Sequence, residues 1–150
     1  AYDRIWEARK ILGGIVNVSR SFVITIRDSF HLHNKGKSSD EKEVVKIITN
    51  RHIAWLTALR YAMRAKKSWE TEYEWTKEDS KKDNWYVIPE RKTTLEDELR
   101  PLLSEEEFEY VMKQGNQPNA IIALQSKHVR KLNDEDKLCD FSLLNIQKMV

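Results

Sequence analysis

Between Ile5 and Ile26, residues Ile5, Ala8, Leu12, Ile15, Ser19, Phe22 and Ile26 recur every three or four positions, the period of an α-helix. Trp6, Val16 and Val23 lie off this stripe and widen it. A surface helix needs one apolar stripe, so the wider pattern predicts burial on two sides, as in a long helix packed inside an oligomer. The predicted helix covers about 2–29. Gly13 and Gly14 fall within it, and each glycine costs up to about 1 kcal/mol relative to alanine in a helix interior. A close helix crossing or a bend would account for the pair; a break in the helix is the alternative.

Residues 31–39 read as a turn, with Asn34 and Gly36 before Ser39 or Asp40 as a helix cap. Val44, Ile47, Ile48, Trp55, Leu59, Ala62 and Met63 then predict a second helix over about 41–67, broadened by Val45, Ile53 and Leu56. Two helices of this length would each run for about 40 Å and suit an elongated bundle. Helical periodicity stops at Trp69. The aromatic residues Trp69, Tyr73, Trp75, Trp85 and Tyr86 stand among charged ones, which predicts an irregular connection over 69–93 that anchors its aromatics on neighbouring helices. Shorter helices follow over 95–150. Thr94 caps the first of them, and Ser104 with Glu107 forms a capping box for the second, which ends at Gly115. Pro118 fits the first position of the third, which carries Ile121, Ile122, Leu124, His128, Val129 and Leu132. Residues 133–136 turn the chain into a last helix with Leu138, Phe141, Leu144, Ile146 and Met149. The expected fold is all-α: one helical domain over 1–150, an elongated bundle of long antiparallel helices with shorter C-terminal helices.

Composition agrees with this pattern, since 40% hydrophobic and 33% charged residues with only 4 Gly and 3 Pro describe a helix-rich, soluble chain. Cys139 is the single cysteine, so no intrachain disulfide forms and a cytosolic setting is the simpler expectation. No apolar run reaches the roughly 20 residues that span a bilayer, and no signal peptide is expected. The chain begins inside one helical pattern and closes inside another, so a piece of a larger protein is expected. The net charge of +2 hides an asymmetry: residues 35–67 hold nine Lys or Arg against three acids, and residues 70–109 hold six against fourteen. Opposite blocks suit self-association or docking within the chain, which makes nucleic acid the weakest of the partner classes.

Catalytic signatures are missing. The chain has no glycine-rich phosphate loop, no Gly-x-Ser-x-Gly elbow and no His-Glu-x-x-His, so no enzyme activity, catalytic residue or cofactor is expected. His31 and His33 lack a third ligand at suitable spacing, and no metal site is expected. His52 and His128 fall within helices, where a hydrogen-bonded interior histidine is the natural role, and Cys139 reads as a small core residue. Asp134, Glu135 and Asp136 do not have the spacing of a calcium-binding loop and read as a solvated turn.

The opening segment carries Tyr2, Asp3, Arg4, Trp6, Glu7, Arg9, Gly13 and Gly14 in an order that resembles the stretch after the second membrane-spanning segment of bestrophin-like ion channels. Three further blocks are similar to that family: HIAWLTALRYAMR over 52–64, residues 102–132 with Asn116, Gln117, Pro118 and Asn119 at their centre, and residues 137–141. The resemblance implies an all-helical subunit of a homo-pentamer around a central path for inorganic ions. Membrane segments of the full-length protein would flank this region, which would lie on the cytoplasmic side of the cell membrane. Animal and plant relatives pass mainly chloride, and a bacterial relative favours monovalent cations. The pore neck and calcium clasp of such channels would fall outside these residues. Only Arg4, Trp6, Glu7 and Arg9 carry over, as pore or vestibule candidates in which Arg attracts anions and Glu attracts cations at a water-filled mouth. Ion pairs between neighbouring helices are the alternative role for the charged three, with Arg4 and Glu7 at a facing interval. Gly13 and Gly14 are the helix-packing candidates. The expected function is a cytosolic vestibule and assembly region of such a channel. Its rival is a soluble helical adaptor that self-associates through its opposite charge blocks.

Overall fold

Three polar residues set the starts of the shorter helices. Thr94 Oγ1 accepts from the backbone N–H of Asp97 at 3.2 Å, Ser104 Oγ from that of Glu107 at 3.4 Å, and Asn116 Oδ1 from that of Asn119 at 3.2 Å. Each satisfies an amide that the first helical turn leaves open. The computed structural model describes residues 2–33, 38–65, 90, 92–135 and 137–149. Its elements are α1 (Tyr2–His33), α2 (Ser38–Arg64), α3 (Leu95–Leu99), α4 (Glu105–Met112), α5 (Gln117–Asp134) and α6 (Asp140–Gln147). The fold is all-α, with no strand among the described residues.

Several boundaries differ from the pattern-based expectation. α1 continues to His33 and α2 starts at Ser38, so helix occupies both ends of the turn expected over 31–39. α1 also runs unbroken through Gly13 and Gly14. Pro118 is the second residue of α5 rather than the first, behind the Asn116 cap, and α5 reaches Asp134 before the chain turns. α4 ends at Met112, short of Gly115. The connection expected over 69–93 falls mostly outside the described residues, including every one of its aromatic side chains.

The centre of the fold is the pair α2 and α5. Ile48 near the start of α2 shares a buried cluster with Val129 and Leu132 near the end of α5, whereas Ala54 and Ala58 meet Ala120 and Ile121 at its beginning. The two helices are therefore antiparallel, and the small side chains of Ala54 and Ala58, four residues apart, allow close approach. Around the first cluster pack Phe22 and Ile26 of α1 with Leu138 and Ile146 at α6; around the second pack Leu99, Leu103, Phe108 and Val111 from α3 and α4. Phe22 lies beside His52 and Ile26 beside Ile48, so α1 is antiparallel to α2 as well.

The two-sided burial expected of α1 is not met among the described residues. Phe22, Ile26 and Ser29 are buried, but everything from Tyr2 to Gly14 is exposed, with Tyr2 82%, Trp6 54% and Leu12 52% accessible. A wide apolar surface needs two neighbours, and α2 with α6 supplies one, only along the C-terminal third of the helix. The twenty residues before Phe22 form an arm of about 30 Å at 1.5 Å per residue.

Candidate functional site

Arg51 lies one turn beyond Ile48 and one turn before Trp55, on the stripe of α2 that faces α5. It is buried, at 3% exposure, which a guanidinium tolerates only when its donors are met. Its Nη1 donates to Gln125 Oε1 at 3.0 Å and lies 2.8 Å from His128 Nδ1, and its Nη2 pairs with Glu107 of α4. Gln125 in turn donates from Nε2 to the carbonyl of Ile48 at 3.1 Å. A single side chain thus ties α2 to α4 and α5.

The protonation of His128 follows from its partner. Arginine has no acceptor, so Nδ1 must accept from Arg51 and the imidazole is neutral, with its proton on Nε2. Burial lowers the His128 pKa, the positive charges of Arg51 and Lys131 push the same way, and Glu107 and Glu135 oppose them. Burial alone lowers the pKa of His52. The His52 ring stacks on Phe22 with centroids 4.8 Å apart and lies 5.3 Å from Trp55, so it joins α1 to α2 through apolar contact. His128 fills the expected role of hydrogen-bonded interior histidine; His52 is an aromatic spacer.

A second polar junction holds α3 on α2. Glu98 pairs with Arg60 and accepts at Oε1 from the hydroxyls of Tyr61 at 2.8 Å and Thr93 at 2.7 Å. The Thr93 hydrogen bond is the main influence lowering the Glu98 pKa. Arg60 Nε also lies 3.1 Å from Glu90. The basic stretch of α2 therefore meets acidic residues of the following segment inside one chain, so among the described residues the opposite charge blocks serve intrachain docking.

Two sequence expectations change here. Ser104 accepts the Glu107 amide as expected, but the Glu107 carboxylate turns to Arg51 instead of closing the capping box. The pair with a buried guanidinium joins two opposite full charges, whereas the reciprocal cap would offer the carboxylate only a neutral backbone donor. Cys139 is exposed at the N-cap of α6 and lies 3.1 Å from Ser142 Oγ, because the helix begins only at Asp140 and the core position falls to Leu138. The side chains of His31 and His33 lie outside the described residues.

Arg4, Trp6, Glu7 and Arg9 share the first turns of the α1 arm, and all are exposed. Lys10 Nζ sits 5.6 Å from the Trp6 ring centroid. Arg4 is about 27 Å along the helix from Phe22, where packing begins, so these candidates are remote from Arg51. A side-chain carbon added at Gly13 or Gly14 would meet no atom within 4 Å. Arg51 and Gln125 were not singled out by pattern. Their signal is a polar residue in register with an apolar stripe: Arg51 between Ile48 and Trp55, Gln125 between Ile121 and Val129.

Among the described residues no helix is long and apolar enough to cross a membrane. What they form is an all-α bundle whose buried polar groups are used to join helices and whose longest helix carries an uncovered apolar surface. A family model described as bacterial/fungal bestrophin protein matches residues 1–150. The chain belongs to that family, whose members are ion-channel proteins rather than enzymes. No curated protein and no solved structure matches it.

Proposed function

We propose that this chain is the helical, water-exposed region of a bestrophin-family ion channel, shaping the cytoplasmic vestibule and joining subunits into a homo-pentamer. The observation that carries this reading is the family match across residues 1–150 together with the uncovered apolar arm of α1. An exposed surface with Ile5, Trp6, Ile11, Leu12, Val16 and Val18 is larger than scattered surface hydrophobics explain, and it suits packing against neighbouring helices. Arg4, Glu7 and Arg9 would then repeat in each subunit and form charged rings where they face the ion path, favouring chloride or monovalent cations according to the sign that dominates. Against the adaptor reading stands the pairing of Arg51 and Arg60 with carboxylates of the same chain, which takes two cations of the basic block out of use for self-association.

The test is to record currents from the full-length parent protein in lipid bilayers, then from its Arg4→Ala and Glu7→Ala variants. Conductance with a shift in anion-to-cation permeability is expected. A well-assembled parent that carries no current would end the channel reading, and unchanged selectivity would remove both side chains as determinants.

A further inference from the structure

At the Arg51 junction, α5 grips α2 with two side chains one turn apart. Gln125 and His128 both engage Nη1 of the buried guanidinium, at 3.0 Å and 2.8 Å, while Glu107 of α4 engages Nη2. Arg51 Nε is buried with no hydrogen-bond partner among the described residues, so the cation has no acceptor to spare. On one side of the junction lie Ile48, Val129 and Leu132, and on the other Ala54, Ala58, Ala120 and Ile121, so apolar packing holds α2 to α5 at both ends. While the His128 ring is neutral, one guanidinium faces one carboxylate and the charge is balanced.

We propose that this junction is a proton-operated latch: uptake of a proton by His128 releases its ring from Arg51 and loosens α4 and the middle of α5 from α2, while the apolar clusters keep the bundle together. A protonated ring carries a hydrogen on Nδ1, and at 2.8 Å that hydrogen would meet a guanidinium that can only donate. Charge acts in the same direction. The charged groups that face the ring are Arg51 from α2, Glu107 from α4, and Lys131 and Glu135 from α5 itself. Both carboxylates are already paired, Glu107 with Arg51 and Glu135 with Lys131 and Lys137. The ring is half-buried, so turning it toward solvent meets its new donor without unfolding the helix. Because burial first, and then the charge of Arg51, lowers the pKa of the engaged ring, the released ring takes the proton first. Release is therefore favoured as pH falls below about 6.5, by up to about tenfold per pH unit, until the engaged ring titrates as well. His52 titrates over the same range, since burial lowers its pKa too, but its ring lies on Phe22 and Trp55, so its effect falls on the contact with α1. On the channel reading above, the latch would make the vestibule respond to cytoplasmic pH; the latch itself does not require ion conduction.

The test is hydrogen exchange of the full-length parent protein, followed by mass spectrometry on peptides from each helix and corrected for the intrinsic pH dependence of amide exchange. Between about pH 7.5 and 5.5, protection in α4 and in α5 around Gln125 and His128 should fall by up to about tenfold, and more than in the rest of the bundle. His128→Gln offers Arg51 a neutral acceptor at every pH and should abolish that change. His52→Phe keeps an aromatic ring between Phe22 and Trp55 and should retain it. Unchanged protection of α4 and α5 in the parent protein, or an equal loss in every helix, would overturn the proposal. So would a response that survives in His128→Gln or disappears in His52→Phe.

Discussion

Replacing Arg51 by methionine isolates the worth of the central polar junction, because methionine keeps much of the aliphatic stem and removes the charged head. Gln125 Oε1 would lose its donor while staying buried, and its residue is only 3% exposed, so about 1–3 kcal/mol is lost there. The Glu107 side chain is 23% exposed, so its carboxylate can recover water and the broken pair adds no more than about 1 kcal/mol. His128 is half-buried and contributes little beyond this. The total expected is about 1–4 kcal/mol, read as a lowered urea midpoint by circular dichroism with an unchanged denaturant slope. Glu107→Gln should cost about 1 kcal/mol, because the amide still accepts from Arg51. Adding Gln125→Leu to Arg51→Met should restore part of the loss, since two apolar partners leave no orphaned oxygen. A cost below 1 kcal/mol for Arg51→Met, or an equal cost for Glu107→Gln, would refute the reasoning.

Phe22→Ala removes the fully buried ring against His52 and should lower stability by about 3–5 kcal/mol; amide exchange should rise first in α1 near Ile26, and uniform acceleration across α2 and α5 instead would count against it. Acid should destabilise the protein through His52 and His128: both have folded-state pKa values below the usual 6.5, so the unfolded chain binds protons first. Stability should be full above about pH 6.5 and decline as pH falls below it, before Glu98 and Glu135, whose pKa values are lowered, lose their own contributions nearer pH 4. His128→Gln preserves an acceptor for Arg51 and should flatten the decline between pH 7 and 5; an identical curve would argue against His128 as its source. Leu12→Asp with Val16→Asp should change the stability of the isolated chain by no more than about 0.5 kcal/mol yet reduce oligomer formation by the parent protein, measured by light scattering.

What could be read from the residues was whatever depends on near neighbours. The long helices follow from a period of three and four, and Thr94 and Ser104 cap within three residues of themselves. Arg51 was illegible for the opposite reason. Its partners lie 56, 74 and 77 residues away, and a basic residue on a helix ordinarily reads as solvated. Only the antiparallel docking of α2 on α5 brings those groups together. The Glu107 carboxylate was misread on the same ground, since the local cap and the distant guanidinium compete for it and burial decides. Cys139 shows how one residue of register moves a side chain from core to surface.

The opening helix shows a different limit. Its apolar width predicts two packing neighbours, but the pattern does not say whether those neighbours belong to the same chain, and among the described residues only one of them is found. Arg4, Trp6, Glu7, Arg9, Gly13 and Gly14, which carry the family resemblance, make little use of the fold, whereas Arg51, Gln125 and His128, which hold the fold, belong to no motif. A tryptophan and a pair of helix-interior glycines at exposed positions cost something and return nothing to this chain alone. On the proposed reading, their physical account is a surface of a neighbouring subunit. It follows that substitutions along the α1 arm should separate assembly from stability, and substitutions at the Arg51 junction should not.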